Sequence, residues 1–156
     1  MTESTIAVTR DATVTLREIT EETVNAILKL RVAAAQEAFV ASNAVSLAQA
    51  HFSKYAWFRA IYADETPVGF ILLHDNPDEP TYYLWRFMLD ERYQRLGFGR
   101  QAIRLLVEYV KTRPNATALL LSYVPQAGGP QAFYEHLGFV HTGEEHDGEL
   151  EMRLAL

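Results

Sequence analysis

Apolar and polar residues alternate along several segments of the chain. The clearest runs are residues 57–63, residues 68–73 and Thr81–Leu89. A period of two is typical of β-strands. The first two runs are separated by the polar segment 64–67, which predicts an antiparallel hairpin. A further alternating run over residues 14–19 predicts a strand close to the start of the chain.

Two short helices are predicted between the first strand and the hairpin. Val24, Ile27 and Leu28 lie on one face of a helix, and Thr20 is placed to cap its N-terminus. After a break near residue 42, Ser46 is followed three residues later by a glutamine, which is the spacing of a capping box. The sequence therefore predicts that the second helix begins at Ser46.

The second half of the chain predicts a strand–helix–strand unit. The apolar face of a helix is indicated by residues at positions i, i+3, i+4 and i+7, which are Ile103, Leu106, Val107 and Val110. The continuously apolar run Ala118–Tyr123 follows, which implies a buried strand paired in parallel through a right-handed crossover. A short helix over residues 130–137 and strands over 139–142 and 150–154 complete the order β-αα-β-β-β-α-β-α-β-β. The fold class is α/β (α+β), with a mixed, mostly antiparallel sheet flanked by helices.

Composition excludes several classes of function. We expect one domain over residues 1–156. Cysteine is absent, which removes disulfides, thiolate zinc sites and cysteine nucleophiles. Fourteen basic and 20 acidic residues give a net charge of −6 without a basic cluster, so a nucleic-acid partner is not expected. Residues 1–5 lack the pattern of a signal peptide, and no apolar run reaches the ~20 residues of a membrane span. A cytoplasmic protein without a membrane partner is expected.

The loop between the strand ending at Leu89 and the following helix gives the clearest indication of chemistry. This loop consists of Gln94, Arg95, Leu96, Gly97, Phe98, Gly99 and Arg100. Two glycines separated by one residue at a helix N-terminus favour an anion such as a pyrophosphate. The loop lacks the Gly-Lys-Ser/Thr of a P-loop. It matches the glycine pattern of the Rossmann fingerprint, but no acidic residue follows about 20 positions later. A hairpin also precedes the loop, whereas the fingerprint follows the first strand of a parallel sheet. A nicotinamide enzyme is therefore disfavoured.

Two motifs resemble the GNAT superfamily of acyl-CoA-dependent N-acetyltransferases. Gln94-x-x-Gly97-x-Gly99 matches the family's Gln/Arg-x-x-Gly-x-Gly/Ala signature. Residues 133–139 read Phe-Tyr-Glu-His-Leu-Gly-Phe, similar to the family's Phe-Tyr-Glu-Lys-Leu-Gly-Phe segment. Residues 39–43, 46–50 and 85–90 also resemble bacterial diamine (spermine/spermidine) acetyltransferase-like members. The resemblance implies a GNAT fold, acetyl-CoA as co-substrate, no metal, and direct attack by a small primary amine, foremost a polyamine or diamine.

The resemblance also implies roles for individual residues. The backbone of Phe87, Met88 and Leu89 would hold the pantetheine arm, and the N–H of Leu89 would polarise the thioester carbonyl. Residues 94–100 would bind the pyrophosphate. Tyr134 would bind near the sulfur and protonate the leaving thiolate as the general acid. Family analogy also allows a homodimer.

The general base is not assigned by the sequence. Some GNAT enzymes use a glutamate on the strand before the loop, but residues 82–89 contain none. Water, Glu37, Asp75 and Glu79 are the candidates, and solvated surface charge is the competing interpretation of each carboxylate. At position 127 many members carry an asparagine that contacts the cofactor, whereas this chain has Ala127, so Gln126 or the neighbouring glycine backbone would have to substitute.

Several alternatives stay open at the level of sequence. Glu37, Asp75 and Trp85 are candidates for binding the acceptor, and an aromatic amine pocket competes with ordinary core packing for the aromatic residues Trp57, Phe58, Tyr62 and Trp85. The acceptor could instead be a peptide α-amine or an aminoglycoside. A non-catalytic acyl-CoA sensor is a further alternative, although a pure sensor would not need Tyr134. Histidines recur every five residues at His136, His141 and His146, which does not suit a metal pair.

Overall fold

The computed structural model describes residues 7–156, so the segment 1–5 tested for a signal peptide lies outside the described residues. The elements are β1 (Val14–Arg17), α1 (Val24–Leu28), α2 (Asn43–His51), β2 (Ala56–Ala63), β3 (Thr66–His74), β4 (Thr81–Leu89), α3 (Phe98–Lys111), β5 (Ala118–Tyr123), α4 (Gln131–His136), β6 (Val140–His146) and β7 (Glu149–Ala155). Their order agrees with the sequence prediction, and β4 and β5 have the predicted bounds.

The seven strands form one mixed sheet in the order β1-β2-β3-β4-β5-β7-β6. All neighbours pair antiparallel except β4 and β5, which are parallel and joined by α3. The predicted hairpin and crossover are therefore confirmed. The hairpin turn is tighter than predicted because Asp64 adopts a φ of 50°, a left-handed conformation that aspartate tolerates better than most residues. Thr66 and Pro67 consequently belong to β3.

The predicted starts of the first two helices are wrong. The side chain of Ser42 accepts a hydrogen bond from the Val45 N–H at 3.2 Å, so α2 begins at Asn43 rather than at Ser46. Ser46 itself is buried inside α2, with 1% of its surface exposed. The residue at the N-cap of α1 is Thr23 rather than the predicted Thr20.

The last two strands are longer than predicted. β6 continues to His146 because the reversal needs only Asp147 and Gly148, whose φ values of 51° and 83° make a tight turn. Glu144 and Glu145 therefore lie on β6, at the edge of the sheet.

Two hydrophobic cores lie on opposite faces of the sheet. The larger core packs α3 and α4 against one face and includes Phe98, Leu106 and Phe139. The smaller core packs α1 and α2 against the other face and includes Ile27 and Phe70. Burying apolar side chains on both faces contributes roughly 25 cal/mol for each Å² removed from water, which holds the helices on the sheet.

The parallel strands β4 and β5 pair over only part of their length. Their register runs from Thr81 opposite Ala118 to Leu84 opposite Leu121, and it stops there. In β4 a register shift next to Trp85 marks the same point. Beyond it β4 stays with β3 while β5 stays with β7, so a gap opens in the middle of the sheet.

Candidate active site

A cavity of about 730 Å³ occupies the region of this gap. That volume lies in the range of pockets that hold small molecules and cofactors. Its wall contains residues from both faces of the sheet, including Phe133 from the α4 side and Val40 from the loop before α2. The sequence-predicted site residues on the wall are Trp85, Phe87, Met88, Leu89, Gln94, Arg95, Gly97, Gly99, Arg100 and Tyr134.

The backbone of β4 directs hydrogen-bonding groups toward the gap. The N–H of Asp90 donates to the carbonyl of Val68 in β3 at 2.8 Å. Because antiparallel ladder bonds alternate along a strand, the backbone groups of Leu89 and Phe87 point away from β3. The carbonyl of Leu89 accepts a hydrogen bond from the side chain of Gln94 at 3.0 Å, which agrees with this direction. The N–H groups of Phe87 and Leu89 therefore face the gap. By the same alternation, the N–H of Met88 points toward β3.

The loop after β4 combines a strained backbone with a helix N-terminus. Arg95 and Gly97 have φ values of 64° and 85°, and Gly97 is the N-cap of α3. Gly97 and Gly99, at the N-terminus of this 14-residue helix, are on the cavity wall together with Arg95 and Arg100. A helix N-terminus and two guanidinium groups make this part of the wall suitable for a phosphate.

Gly99 allows the loop to pack closely on β4. A Cβ atom at Gly99 would lie 3.3 Å from side-chain atoms of Leu89, Phe87 and Phe133. Phe87 and Phe133 stack with ring centroids 6.1 Å apart. A side chain at position 99 would therefore have to displace these residues or enter the cavity.

Three loop residues have structural contacts that the motif alone does not specify. Besides bonding Leu89, the Gln94 side chain donates to Gln36 at 3.0 Å and so fastens the loop to the segment before α2. Phe98 is fully buried in the larger core, and Leu96 packs against that core. Neither residue is on the cavity wall.

Tyr134 lies on the cavity wall with only 8% of its surface exposed. Its ring packs edge-on against Phe133 and Phe139, with centroids 5.2 and 5.7 Å away. Burial raises the pKa of Tyr134 well above the ordinary value for a phenol. The phenol is therefore neutral and retains its proton. None of the side-chain hydrogen bonds found within residues 7–156 involves its hydroxyl.

The carboxylates considered for the general base lie outside this cavity. Glu37 is exposed next to Gln36, and Glu79 lines a smaller neighbouring cavity. Asp75 accepts hydrogen bonds from the Tyr109 hydroxyl at 2.6 Å and from Arg113 at 2.9 Å. Burial, followed by the bond to Asp75, raises the pKa of Tyr109 to about 12. These contacts give Asp75 a structural role between the end of β3 and α3.

We predict that Asp75→Asn lowers the free energy of unfolding by about 1–3 kcal/mol, because the charge-assisted bond to Arg113 is lost. Thermal unfolding followed by circular dichroism measures this change, and Asp78→Asn, an exposed position in the same loop, serves as the control. An Asp75→Asn protein as stable as the Asp78→Asn control would contradict this structural role.

Glu149 lines the cavity and was missed by the sequence reasoning. It is the one carboxylate on the wall among the described residues. The register of Tyr123 opposite Leu150 brings Glu149 level with Val124, where β5 leaves the gap. No local motif marks this position, because it depends on how β7 pairs with β5. Within residues 7–156, no ion pair or side-chain hydrogen bond involves the Glu149 carboxylate.

The segment that replaces the family asparagine also borders the cavity. Gln126, Gly128 and Gly129 are on the wall, whereas Ala127 is not. Two of the histidines that recur every five residues have polar partners. His141 is hydrogen-bonded to the Tyr123 hydroxyl at 2.6 Å, and His146 lies 3.4 Å from Glu151. In the part of the chain that the structure describes, no group of three potential metal ligands comes together. Over that same part, no helix combines the length and the apolar character needed to cross a membrane.

Comparisons with known proteins agree with this geometry. The sequence model of the Acetyltransferase (GNAT) family matches residues 22–139. The spermine/spermidine N(1)-acetyltransferase of Bacillus subtilis (strain 168) is 27% identical over 146 residues, which cover 89% of this chain and 96% of that protein. The spermidine N-acetyltransferase of Vibrio cholerae, solved with CoA and spermine, has a TM-score of 0.70 at 19% identity and covers 91% of this chain and 95% of its own. The PaiA N-acetyltransferase of Thermoplasma acidophilum, solved with coenzyme A, has a TM-score of 0.71 at 15% identity, covering 92% and 99%.

Proposed function

The chain belongs to the GNAT family of acetyltransferases, and from this premise we propose that it transfers the acetyl group of acetyl-CoA to a primary amine of a linear diamine or polyamine. The observation that carries the proposal is the cavity in the gap between β4 and β5. Its wall brings together Phe87 and Leu89 of β4, whose N–H groups face the gap, Tyr134 and one carboxylate, Glu149.

The residues present fit a CoA thioester. The N-terminus of α3 suits the pyrophosphate, because Gly97 and Gly99 are on the cavity wall together with Arg95 and Arg100. The pantetheine arm, which carries amide groups, would lie along β4 and bond the backbone of Phe87 and Leu89 where β5 has moved away. In this arrangement the arm takes the place that a neighbouring strand would fill.

The chemistry follows from the groups at the end of this arm. The amine nitrogen attacks the carbonyl carbon of the thioester, and the carbon–sulfur bond breaks. The N–H of Leu89 faces the gap and would stabilise the negative charge that develops on the carbonyl oxygen. Tyr134 would give its proton to the departing sulfur, whose conjugate thiol has an ordinary pKa of about 8.5. An amine bound as an ammonium ion loses one proton before it attacks and a second as the amide forms. One of these two protons replaces the one that Tyr134 gave to sulfur, and the other is released to solvent.

Two residues on the wall support an amine as the acceptor. Glu149 supplies a negative charge that can bind an alkylammonium ion, and Trp85 supplies an aromatic face for it. The Bacillus subtilis relative carries a name that specifies spermine and spermidine, which makes polyamines the first acceptors to test.

We expect CoA thiol to appear when acetyl-CoA is mixed with the protein and spermidine, spermine or a short diamine. A thiol-reactive dye measures the release, and acetyl-CoA without an amine supplies the background rate. A peptide α-amine and an aminoglycoside are tested in parallel. If only the peptide or the aminoglycoside reacts, the acceptor assignment is wrong. If acetyl-CoA binds and no amine reacts, the result favours an acyl-CoA sensor.

A further inference from the structure

A second cavity of about 440 Å³ adjoins the first. Its wall includes Thr81, Tyr83 and Trp85 of β4, and Trp85 is also on the wall of the larger cavity. The hydroxyl of Tyr83 donates to the hydroxyl of Ser122, which lines the larger cavity. A shared side chain and a hydrogen bond therefore connect the two cavities along β4.

Among the described residues, each cavity has one carboxylate on its wall. Glu149 lies in the larger cavity and Glu79 in the smaller one. Over residues 7–156, neither side chain takes part in an ion pair or a side-chain hydrogen bond. Both carboxylates are therefore available to bind a cation that enters from solvent.

Aromatic side chains lie between these two charges. Trp85 and Tyr83 are on the wall of the smaller cavity, and aromatic faces attract alkylammonium groups while contacting the methylene chain between them. Burial raises the pKa of Tyr83, the hydrogen bond to Ser122 lowers it, the charges of Glu149 and Glu151 raise it, and the charge of Arg86 lowers it. Charges of both signs therefore lie close enough to act on Tyr83.

Arg86 is the nearby cation that opposes such a ligand. Its guanidinium donates to the carbonyl of Trp85 at 3.0 Å and to the side chain of Gln49 at 3.2 Å. The same guanidinium lies 5.9 Å from the centroid of the Trp85 ring, and Arg86 is on the wall of the larger cavity. Within residues 7–156 it forms no ion pair with Glu149 or Glu79.

The connected cavities follow β4 from Trp85 to Thr81. These residues are four apart, which corresponds to roughly 13 Å along a strand. We propose that the two cavities form one acceptor groove, in which the reacting amine lies beside Glu149 and the distal ammonium of the same molecule binds beside Glu79. This proposal rests on the proposed function, and it makes the distance between the two nitrogens a determinant of specificity.

The groove is tested by steady-state kinetics with amines that differ in their distal charge. kcat/KM is measured for butylamine, 1,4-diaminobutane and spermidine. We expect spermidine to be preferred over butylamine, and Glu79→Gln to reduce that preference about fivefold, the size expected for a solvent-exposed charge pair. Butylamine should be unaffected by Glu79→Gln because it has no second ammonium. Glu149→Gln should instead raise the KM of every amine about tenfold or more.

Glu145→Gln is the matched control. It removes the same charge from the neighbouring strand β6, where Glu145 pairs with Leu150 and so belongs to the opposite face from Glu149. An unchanged spermidine preference in Glu79→Gln would overturn the groove, provided that the protein acetylates these amines. If no amine is acetylated by the unmodified protein, the proposed function fails, and that outcome is distinct from failure of the groove.

Discussion

Tyr134→Phe is expected to lower kcat by about 100-fold, the lower end of the usual contribution of a general acid or base. The substitution removes only the hydroxyl, so the edge-on packing against Phe133 and Phe139 is retained. Without the phenol, the sulfur must leave as an unprotonated thiolate or take its proton from water. The KM for acetyl-CoA should stay within about twofold, since the backbone of β4 and the loop at α3 bind the rest of that molecule.

The raised pKa of Tyr134 has a consequence for the pH profile. Because burial favours the neutral phenol, the acid keeps its proton through neutral and mildly alkaline pH. kcat should therefore show no loss from this group below about pH 10. Tyr109→Phe is the control, because it removes a hydroxyl from a half-buried tyrosine that does not line the cavity. A Tyr134→Phe protein with unchanged kcat would exclude this residue as the acid.

Gly99→Val is expected to raise the KM for acetyl-CoA about 100-fold, which corresponds to about 2.8 kcal/mol of binding free energy. Even the first carbon of a side chain would lie 3.3 Å from Leu89, Phe87 and Phe133, so the branched side chain must extend into the cavity or displace its wall. The arm of CoA would lose the space beside the β4 backbone. Isothermal titration calorimetry with CoA measures the loss of affinity directly.

Glu108→Val controls for the cost of a β-branched residue in the same helix. Glu108 is exposed in α3 and is not on the cavity wall, so this variant should bind CoA normally. Circular dichroism and thermal unfolding establish that the Gly99→Val protein is folded. A folded Gly99→Val protein with the CoA affinity of the unmodified chain would show that CoA does not approach α3 at this point.

Periodicity predicted most of the fold because each element has a strong local pattern. β4 and β5 have their predicted bounds, and α3 has a clear apolar face. The start of α2 was misplaced because two serines, Ser42 and Ser46, compete for the cap, and the choice is made by how the helix packs. Such competition is decided by tertiary contacts that local rules do not include.

Only those residues of the candidate site that belong to a continuous sequence motif could be predicted from the sequence. The loop containing Gly97 and Gly99 and the segment around Tyr134 were identified from sequence, and the structure places both on one cavity wall. Glu149 could not be identified in this way, because it reaches the cavity through the register between β5 and β7. The same holds for Asp75, whose partner Arg113 lies 38 residues further along the chain.

The most direct test of acetyl transfer is the mass of the amine after incubation of the protein with acetyl-CoA and spermidine. We expect monoacetylated spermidine and free CoA in equal amounts, with the rate reduced about 100-fold in Tyr134→Phe. Release of CoA without an acetylated amine would show hydrolysis rather than transfer. That result, or binding of acetyl-CoA with no turnover for any amine, would contradict the proposed function.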